Sequence, residues 1–240
     1  MKLVFLGTRG YIEPRTQRHF RHSTTLVQYR GASIALDCGE DWLGLVDDWR
    51  VEAIFVTHAH PDHAWGLKNG APCPVYATSH SWEVMRSFSV MDGRTVEPRR
   101  PIEIGRIKVE AFPVVHSTRA PAVGYRIGAG RVTIFYVPDV VYINDRGEAL
   151  GGADLYVGDG ATIVRSMVRK PGEELIGHTP IRTQLTWCQK EGVPRAIFTH
   201  CGSAIVAGDR QAVEDKVRAL AQERGVRAEI AFDGMEVVLR

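Results

Sequence analysis

His58-Ala59-His60-Pro61-Asp62-His63 sets three imidazoles and one carboxylate within six consecutive residues. The stretch before it, Ala53-Ile54-Phe55-Val56, is a short apolar run of the kind that forms a buried strand. The histidines therefore begin where rigid backbone ends, a placement that aims side chains into a cleft. Alternation directs His58 and His60 to one side and leaves Asp62 and His63 to reach a second point nearby. A lone histidine on an apolar element is ordinarily a satisfied core group. Three together would repel one another once protonated, so the cluster calls for a shared partner.

The same pattern recurs three more times. Ala111-Phe112-Pro113-Val114-Val115 ends in His116, residues 132–137 are followed by Pro138-Asp139, and Ala196-Ile197-Phe198-Thr199 ends in His200. A single aspartate or histidine after a strand is ordinary turn chemistry; four apolar runs that each deliver a metal-type donor are not. His58, His60 and His116 make one set of three, Asp62, His63 and His200 make another, and Asp139 is free to bridge them. Three protein donors per ion leave a coordination position open, the mark of a catalytic rather than a structural zinc. Nitrogen and carboxylate donors without thiolate fit two Zn2+ and also admit Mn2+ or Fe.

Further strand-like runs occupy residues 3–6, 24–28, 33–36, 107–112, 123–127 and 155–157. Between them lie helical segments. Residues 209–224 repeat Val213, Val217 and Leu220 at helical spacing over a charged face, and residues 179–190 place Ile181, Leu185 and Cys188 inward, with Thr179 as the expected N-cap and Pro180 as the first helical residue. Asp233-Gly234, flanked by residues 229–232 and 235–239, predicts a tight hairpin. No repeat or linker interrupts residues 1–240, so the chain reads as a single domain, layered as two mixed sheets facing each other with helices outside.

Composition narrows the partners. The net charge of +2 excludes a global polycation. Locally, Arg9, Arg15, Arg18, Arg21 and Arg30 face only Glu13 within residues 9–30, and Arg15, Arg18 and Arg21 are candidates to hold a small anionic substrate. No stable nucleic-acid complex is expected. Cys38, Cys73, Cys188 and Cys201 are too scattered for a redox pair or a zinc knuckle. No run approaches the roughly 18 apolar residues that cross a bilayer, so no membrane partner is expected. The short apolar start at residues 3–6 reads as a strand rather than a leader, and a cytoplasmic location follows.

The HxHxDH run with its separate His, Asp and His positions resembles the metallo-β-lactamase superfamily. Its phosphodiesterase branch, which includes ribonuclease Z and the cyclic phosphodiesterase of bacterial phosphonate breakdown, is the most similar. The resemblance runs from Gly7-Thr8-Arg9-Gly10 to Phe232-Asp233-Gly234-Met235-Glu236. It implies an α+β fold, a four-layer αββα sandwich of two mixed β-sheets flanked by helices with metals at one edge. It also implies a dizinc hydrolase, expected to be a homodimer. All seven ligand positions are filled. His178, before the second helix, matches a histidine that in this branch contacts the scissile phosphate or assists the leaving group. Its place near a helix N-terminus favours an anion as well. Only 22 residues separate His116 from Asp139, which leaves no room there for the clamping arm of ribonuclease Z and disfavours transfer-RNA processing. The phosphonate enzyme's cysteine-bound zinc has no counterpart, because residues 1–37 lack cysteine; His19 and His22 stand in that loop instead.

The expected reaction is hydrolysis of a small or cyclic phosphodiester by a water shared between the metals. Asp62 orients that water, and His178 neutralises or protonates the departing oxygen. The same metal pair would serve a thioesterase of the glyoxalase II type or a lactonase. A di-iron oxygen or nitric-oxide reductase is disfavoured by His60, where glutamate is usual, and a non-catalytic metal-binding module by the complete donor set.

Overall fold

A computed structural model describes residues 1–240. Fifteen strands form two sheets. The first sheet takes β1 (Lys2–Gly7), β2 (Thr24–Tyr29), β3 (Ala32–Leu36), β4 (Ala53–Phe55), β5 (Val75–Ala77), β6 (Gly93–Thr95) and, from the far end of the chain, β15 (Met235–Val238), in the order β15-β1-β2-β3-β4-β5-β6. The second takes β7 (Ile102–Ile104), β8 (Ile107–Val115), β9 (Ala122–Ala129), β10 (Val132–Tyr136), β11 (Tyr142–Ile143), β12 (Leu155–Asp159), β13 (Arg195–Thr199) and β14 (Arg227–Ile230). Their order is β11-β8-β9-β10-β12-β13-β14, with β7 against β8.

Both sheets are mixed. In the first, β15-β1-β2-β3 is antiparallel and β3-β4-β5-β6 parallel; the second passes from antiparallel to parallel at β10 and β12. Parallel strands need crossover connections. Between β3 and β4 the crossover holds only a 3-10 turn at Glu40–Trp42; helices supply the others: α1 (Pro61–Ala64), α2 (Ser79–Val84), α3 (Arg146–Leu150), α4 (Ile181–Glu191), α5 (Ser203–Val206) and α6 (Arg210–Gln222).

Three apolar clusters fix the layering. The largest includes Leu3, Phe5, Ile34, Phe55, Tyr125, Ile134, Val157 and Ile197, all almost wholly buried between the two sheets. A second packs Phe135, Tyr156 and Phe198, on the opposite face of the second sheet, against Ile181, Leu185 and Cys188 of α4 and Val217 and Ala221 of α6. A third packs Ile54, Val56 and Val75 under Trp42, Ala64 and Leu67. Each fully buried aliphatic or aromatic side chain in these layers contributes about 1.5–3 kcal/mol. The result is helix, sheet, sheet, helix, the αββα sandwich the sequence predicts.

Two local expectations are corrected. Asp233-Gly234 closes no hairpin: β14 runs parallel to β13 in one sheet and β15 antiparallel to β1 in the other. Instead the turn carries the chain between sheets. Its Asp233 carboxylate accepts hydrogen bonds from Phe20 N–H, Arg21 N–H and the Thr8 hydroxyl, which fastens the 8–22 loop. Helix α4 starts at Ile181 with Pro180 as its cap, because the Thr179 hydroxyl is taken by the Val141 carbonyl at 2.6 Å. Helix α6 follows its pattern, with Asp209 accepting the Ala212 N–H at 2.8 Å.

Candidate metal centre

Six strand ends converge on one edge of the sandwich. β4 leads to His58, β8 to His116, β10 to Asp139 and β13 to His200, as the sequence pattern predicts. Two further strands do the same with residues the pattern reading missed: β3 leads to Asp37, and β12 ends on Asp159. His60 caps α1, with Pro61 at the first helical position fixing the turn that brings Asp62 and His63 inward. The backbone is left-handed at His200 (φ 53°) and Asp37 (φ 61°), a strained state that surrounding packing must hold.

The donors fall into three overlapping groups, one of them Asp139, Asp159, His178 and His200, and the other two flank the Asp139 carboxylate. Of these two, His58, His60, His116 and Asp139 form the first, Asp62, His63 and His200 the second, and in each the donor atoms lie within 4.8 Å of one another. Asp139 Oδ2 stands 3.4 Å from His58 Nε2, 3.2 Å from His116 Nε2 and 3.4 Å from His63 Nε2. Its other oxygen lies 2.9 Å from His200 Nδ1, so this carboxylate faces both sets. His200 Nε2 also lies 2.9 Å from Asp62 Oδ2.

The outward ring nitrogens are anchored by partners that fix the ring faces. His63 Nδ1 lies 2.9 Å from Asp37 Oδ2, and His58 Nδ1 lies 3.1 Å from the Thr57 hydroxyl, which itself donates to Asp37. His116 Nδ1 donates to the Gly177 carbonyl at 3.1 Å. The inward atoms have no such partners. His58 Nε2 and His116 Nε2 approach His60 Nδ1 to 2.9 and 3.4 Å, and His63 Nε2, Asp139 Oδ1 and His200 Nδ1 are buried without a well-aligned hydrogen bond, although the last two stand 2.9 Å apart as an ion pair. Orphaned polar atoms of this kind cost about 1–3 kcal/mol each. Divalent cations between them would satisfy all of them, so the residues present fit a metal pair.

Electrostatics agree with that fit. Burial, reinforced by the neighbouring His63, His116 and His60, holds His58 well below its ordinary range. Burial likewise lowers His116, to about 4. These rings are neutral and offer lone pairs. Burial would also depress His63 and His200, but the carboxylates win: Asp139, Asp62 and Asp37 lift His63 well above its usual value, and Asp139 leads for His200. Asp62 and Asp139, which burial alone would raise, are held well below the carboxylate range by these imidazoles. Four buried carboxylates, Asp37, Asp62, Asp139 and Asp159, thus demand positive charge at this point.

His178 joins the cluster through Asp159. Its Nδ1 lies 2.8 Å from Asp159 Oδ2, and Asp159 raises His178 above its ordinary value against the effect of burial. Asp159 is itself fixed, since its carboxylate accepts from Val140 N–H and Ala161 N–H. Its backbone is clasped by Gln184, whose side chain accepts from Asp159 N–H and donates to Asp159 O. The N-terminus of α4 offers no anion site beside His178. The first free N–H groups of α4, at Ile181 and Arg182, are already spent on the carbonyls of Thr162 and Ile163. Asp159 was legible all the same, because Leu155-Tyr156-Val157-Gly158-Asp159 repeats the strand-then-aspartate pattern that marked Asp139.

A cleft of about 900 Å³ opens over the cluster, lined on one side by Gly10, Tyr11 and Ile12 and on another by Arg165, Met167 and Arg169. Gly10 lies so close to His200 that a Cβ there would stand 3.0 Å from the ring. Arg15, Arg18 and Arg21 do not reach this cleft. Arg15 pairs with Asp41 at 3.0 Å, Arg18 pairs with Glu214 at 3.5 Å over the Phe232 ring, and Arg21 lies over Trp42. These acids lie elsewhere in the chain, which is why the loop appeared uncompensated in sequence. His19 and His22 do not join the cluster either. His19 Nδ1 lies 2.8 Å from the Thr8 hydroxyl and His22 Nδ1 3.0 Å from Asp41.

A two-sheet sandwich with histidines and aspartates gathered where its strands end defines a class, the metal-dependent hydrolases of the metallo-β-lactamase fold. The chain belongs to the beta-lactamase superfamily, whose domain profile matches residues 33–201. Ribonuclease Z of Kineococcus radiotolerans is 30% identical over 152 residues, which cover 52% of this chain and 47% of that protein. Ribonuclease Z of Methanopyrus kandleri is 30% identical over 145 residues, 53% of this chain and 50% of its own. The chain thus spans about half the length of the curated relatives it matches. In fold it is similar to zinc-bound PqqB from Methylobacterium extorquens, with a TM-score of 0.76, 18% identity and full coverage of both chains. It is also similar to a diphosphatase of the PhnP family, with a TM-score of 0.71, 21% identity, and coverage of 98% and 96%. No helix is long and apolar enough to cross a membrane.

Proposed function

We propose that the chain is a dizinc phosphodiesterase acting on a small anionic substrate. The observation that carries this reading is Asp139, whose Oδ2 faces His58, His116 and His63 at 3.2–3.4 Å while its Oδ1 faces His200. His58, His60 and His116 would hold one ion, Asp62, His63 and His200 the other, with Asp139 between them. When bound, the pair supplies Lewis acidity toward phosphoryl oxygens and lowers the pKa of water. The chain's own residues do the rest. Asp62, fixed by His200, orients the attacking water. His178, lifted and aimed by Asp159, carries the proton for the departing oxygen.

The name ribonuclease Z, borne by the relatives in sequence, supports a phosphodiester over a thioester or lactone, as does a proton-carrying dyad beside the metal cluster. His60→Ala and Asp139→Ala are expected to abolish turnover of bis(p-nitrophenyl) phosphate and to lower bound zinc, read by elemental analysis. Full activity in either variant, or faster turnover of a thioester or lactone than of the diester by the zinc-loaded protein, overturns the assignment.

A further inference from the structure

The segment between Asp159 and His178 is an arm with a fixed base. Met167 N–H donates to the His178 carbonyl at 3.1 Å, Arg169 and Ile176 exchange backbone hydrogen bonds at 2.8 Å, and Gly177 N–H donates to the His116 carbonyl at 2.9 Å. The arm is thereby tied to two residues of the metal cluster. It carries Arg165 and Arg169 into the lining of the cleft, both exposed. Unlike Arg15 and Arg18, which carboxylates neutralise, these two guanidinium groups have no acidic partner. They stand within a cleft that already holds Asp62 and Asp139, yet they pair with neither. Two free guanidinium forks beside a buried metal-type cluster match a second anion, since arginine grips phosphate bidentately.

Size points the same way. A cleft of about 900 Å³ is far larger than a simple dialkyl phosphate needs and falls in the range that encloses ligands of nucleotide size. Its wall includes the Tyr11 ring, 62% exposed, and the Met167 side chain, 46% exposed. A flat ring of this kind accepts a stacked base.

We propose that Arg165 and Arg169 hold a second phosphoryl group of the substrate, and that the preferred substrate class is a short nucleotide phosphodiester carrying a terminal phosphate. The inference rests on the phosphodiesterase reading above. The test compares the dinucleotide ApA with and without a 5′-phosphate. In the zinc-loaded wild type, kcat/KM is expected to favour the phosphorylated form by roughly 10–100-fold, the effect of one or two charge-assisted hydrogen bonds. The R165Q/R169Q double variant brings that ratio toward one, while R165K/R169K, which keeps the charges, retains part of it. The Kd values of the same pair with a methylene-phosphonate linkage, which cannot be hydrolysed, give the ratio without turnover. A wild-type ratio near one, or a ratio that R165Q/R169Q leaves in place, overturns the proposal. If no diester is cleaved yet the two Kd values differ through the arginines, the phosphodiesterase reading fails and the anion site stands.

Discussion

Asp159 touches no expected substrate, yet it fixes His178, the histidine assigned above to proton delivery. Its carboxylate spends two bonds on the N–H groups of Val140 and Ala161 and offers the same Oδ2 that binds Val140 to His178. The negative charge is what raises His178, so a neutral amide of the same shape removes the effect while keeping the packing. Asp159→Asn is therefore expected to lower kcat by about 10–100-fold, in line with the loss of a group that orients a histidine. The loss should be large for diesters with alkoxide leaving groups and small for p-nitrophenolate, which departs without a proton. An equal loss for both leaving groups, with zinc content unchanged, would remove proton delivery from the role of His178. Sequence reasoning reached His178 by resemblance and by a helix terminus whose N–H groups are already spent, and missed Asp159, although the strand before Asp159 ends as the strand before Asp139 does. Arg15, Arg18 and Arg21 misled it for the opposite reason: the acids that neutralise Arg15 and Arg18, Asp41 and Glu214, lie far along the chain or in another element. Charge runs in one segment do not reveal their partners in three dimensions.

At the scale of elements, the site is a property of strand ends. Alternation and β-branched runs exposed most of the long strands, and four of the apolar runs, β4, β8, β10 and β13, are followed within three residues by a histidine or aspartate of the cluster. The short strands β5, β6 and β7 lack the unbroken four-residue apolar run that marked the equally short β4 at Ala53-Ile54-Phe55-Val56. The Asp233-Gly234 turn misled because a tight hairpin and a crossing between sheets share one local pattern; only the partners of β14 and β15 separate them. The arm at residues 161–178 left no periodic signal at all, since its order comes from backbone bonds to His116 and His178. Gly177 makes those bonds sterically feasible. It sits at φ 109°, and a Cβ there would meet the Met167 carbonyl oxygen at 2.2 Å. Gly177→Ala should cost about 1–3 kcal/mol in denaturant unfolding and speed tryptic cleavage after Arg165 or Arg169. Unchanged stability and unchanged digestion would show that the arm does not depend on this backbone.

Across the whole molecule, the two sheets bury a continuous apolar layer while their common edge gathers the polar groups that no core can absorb. His63 Nε2, Asp139 Oδ1 and His200 Nδ1 lack well-aligned hydrogen bonds, and four buried carboxylates sit among imidazoles of which His58 and His116 resist protonation. Such an edge is costly in a metal-free chain and favourable around divalent cations, so metal affinity and folding stability are one quantity here. A ligand that binds only the folded state at about 1,000 times its Kd adds roughly 4 kcal/mol. For a domain of this size each kcal/mol moves Tm by about 2–4 °C. Chelation of the zinc-loaded protein should therefore lower Tm by roughly 8–16 °C for two-state unfolding at that saturation, and readdition of zinc should restore it. In Asp139→Ala, which lacks the carboxylate that faces both donor sets, the chelator should change Tm far less. A wild-type Tm indifferent to chelator would mean that the edge is satisfied without metal, and the paired-ion reading of the seven side chains would fall with it.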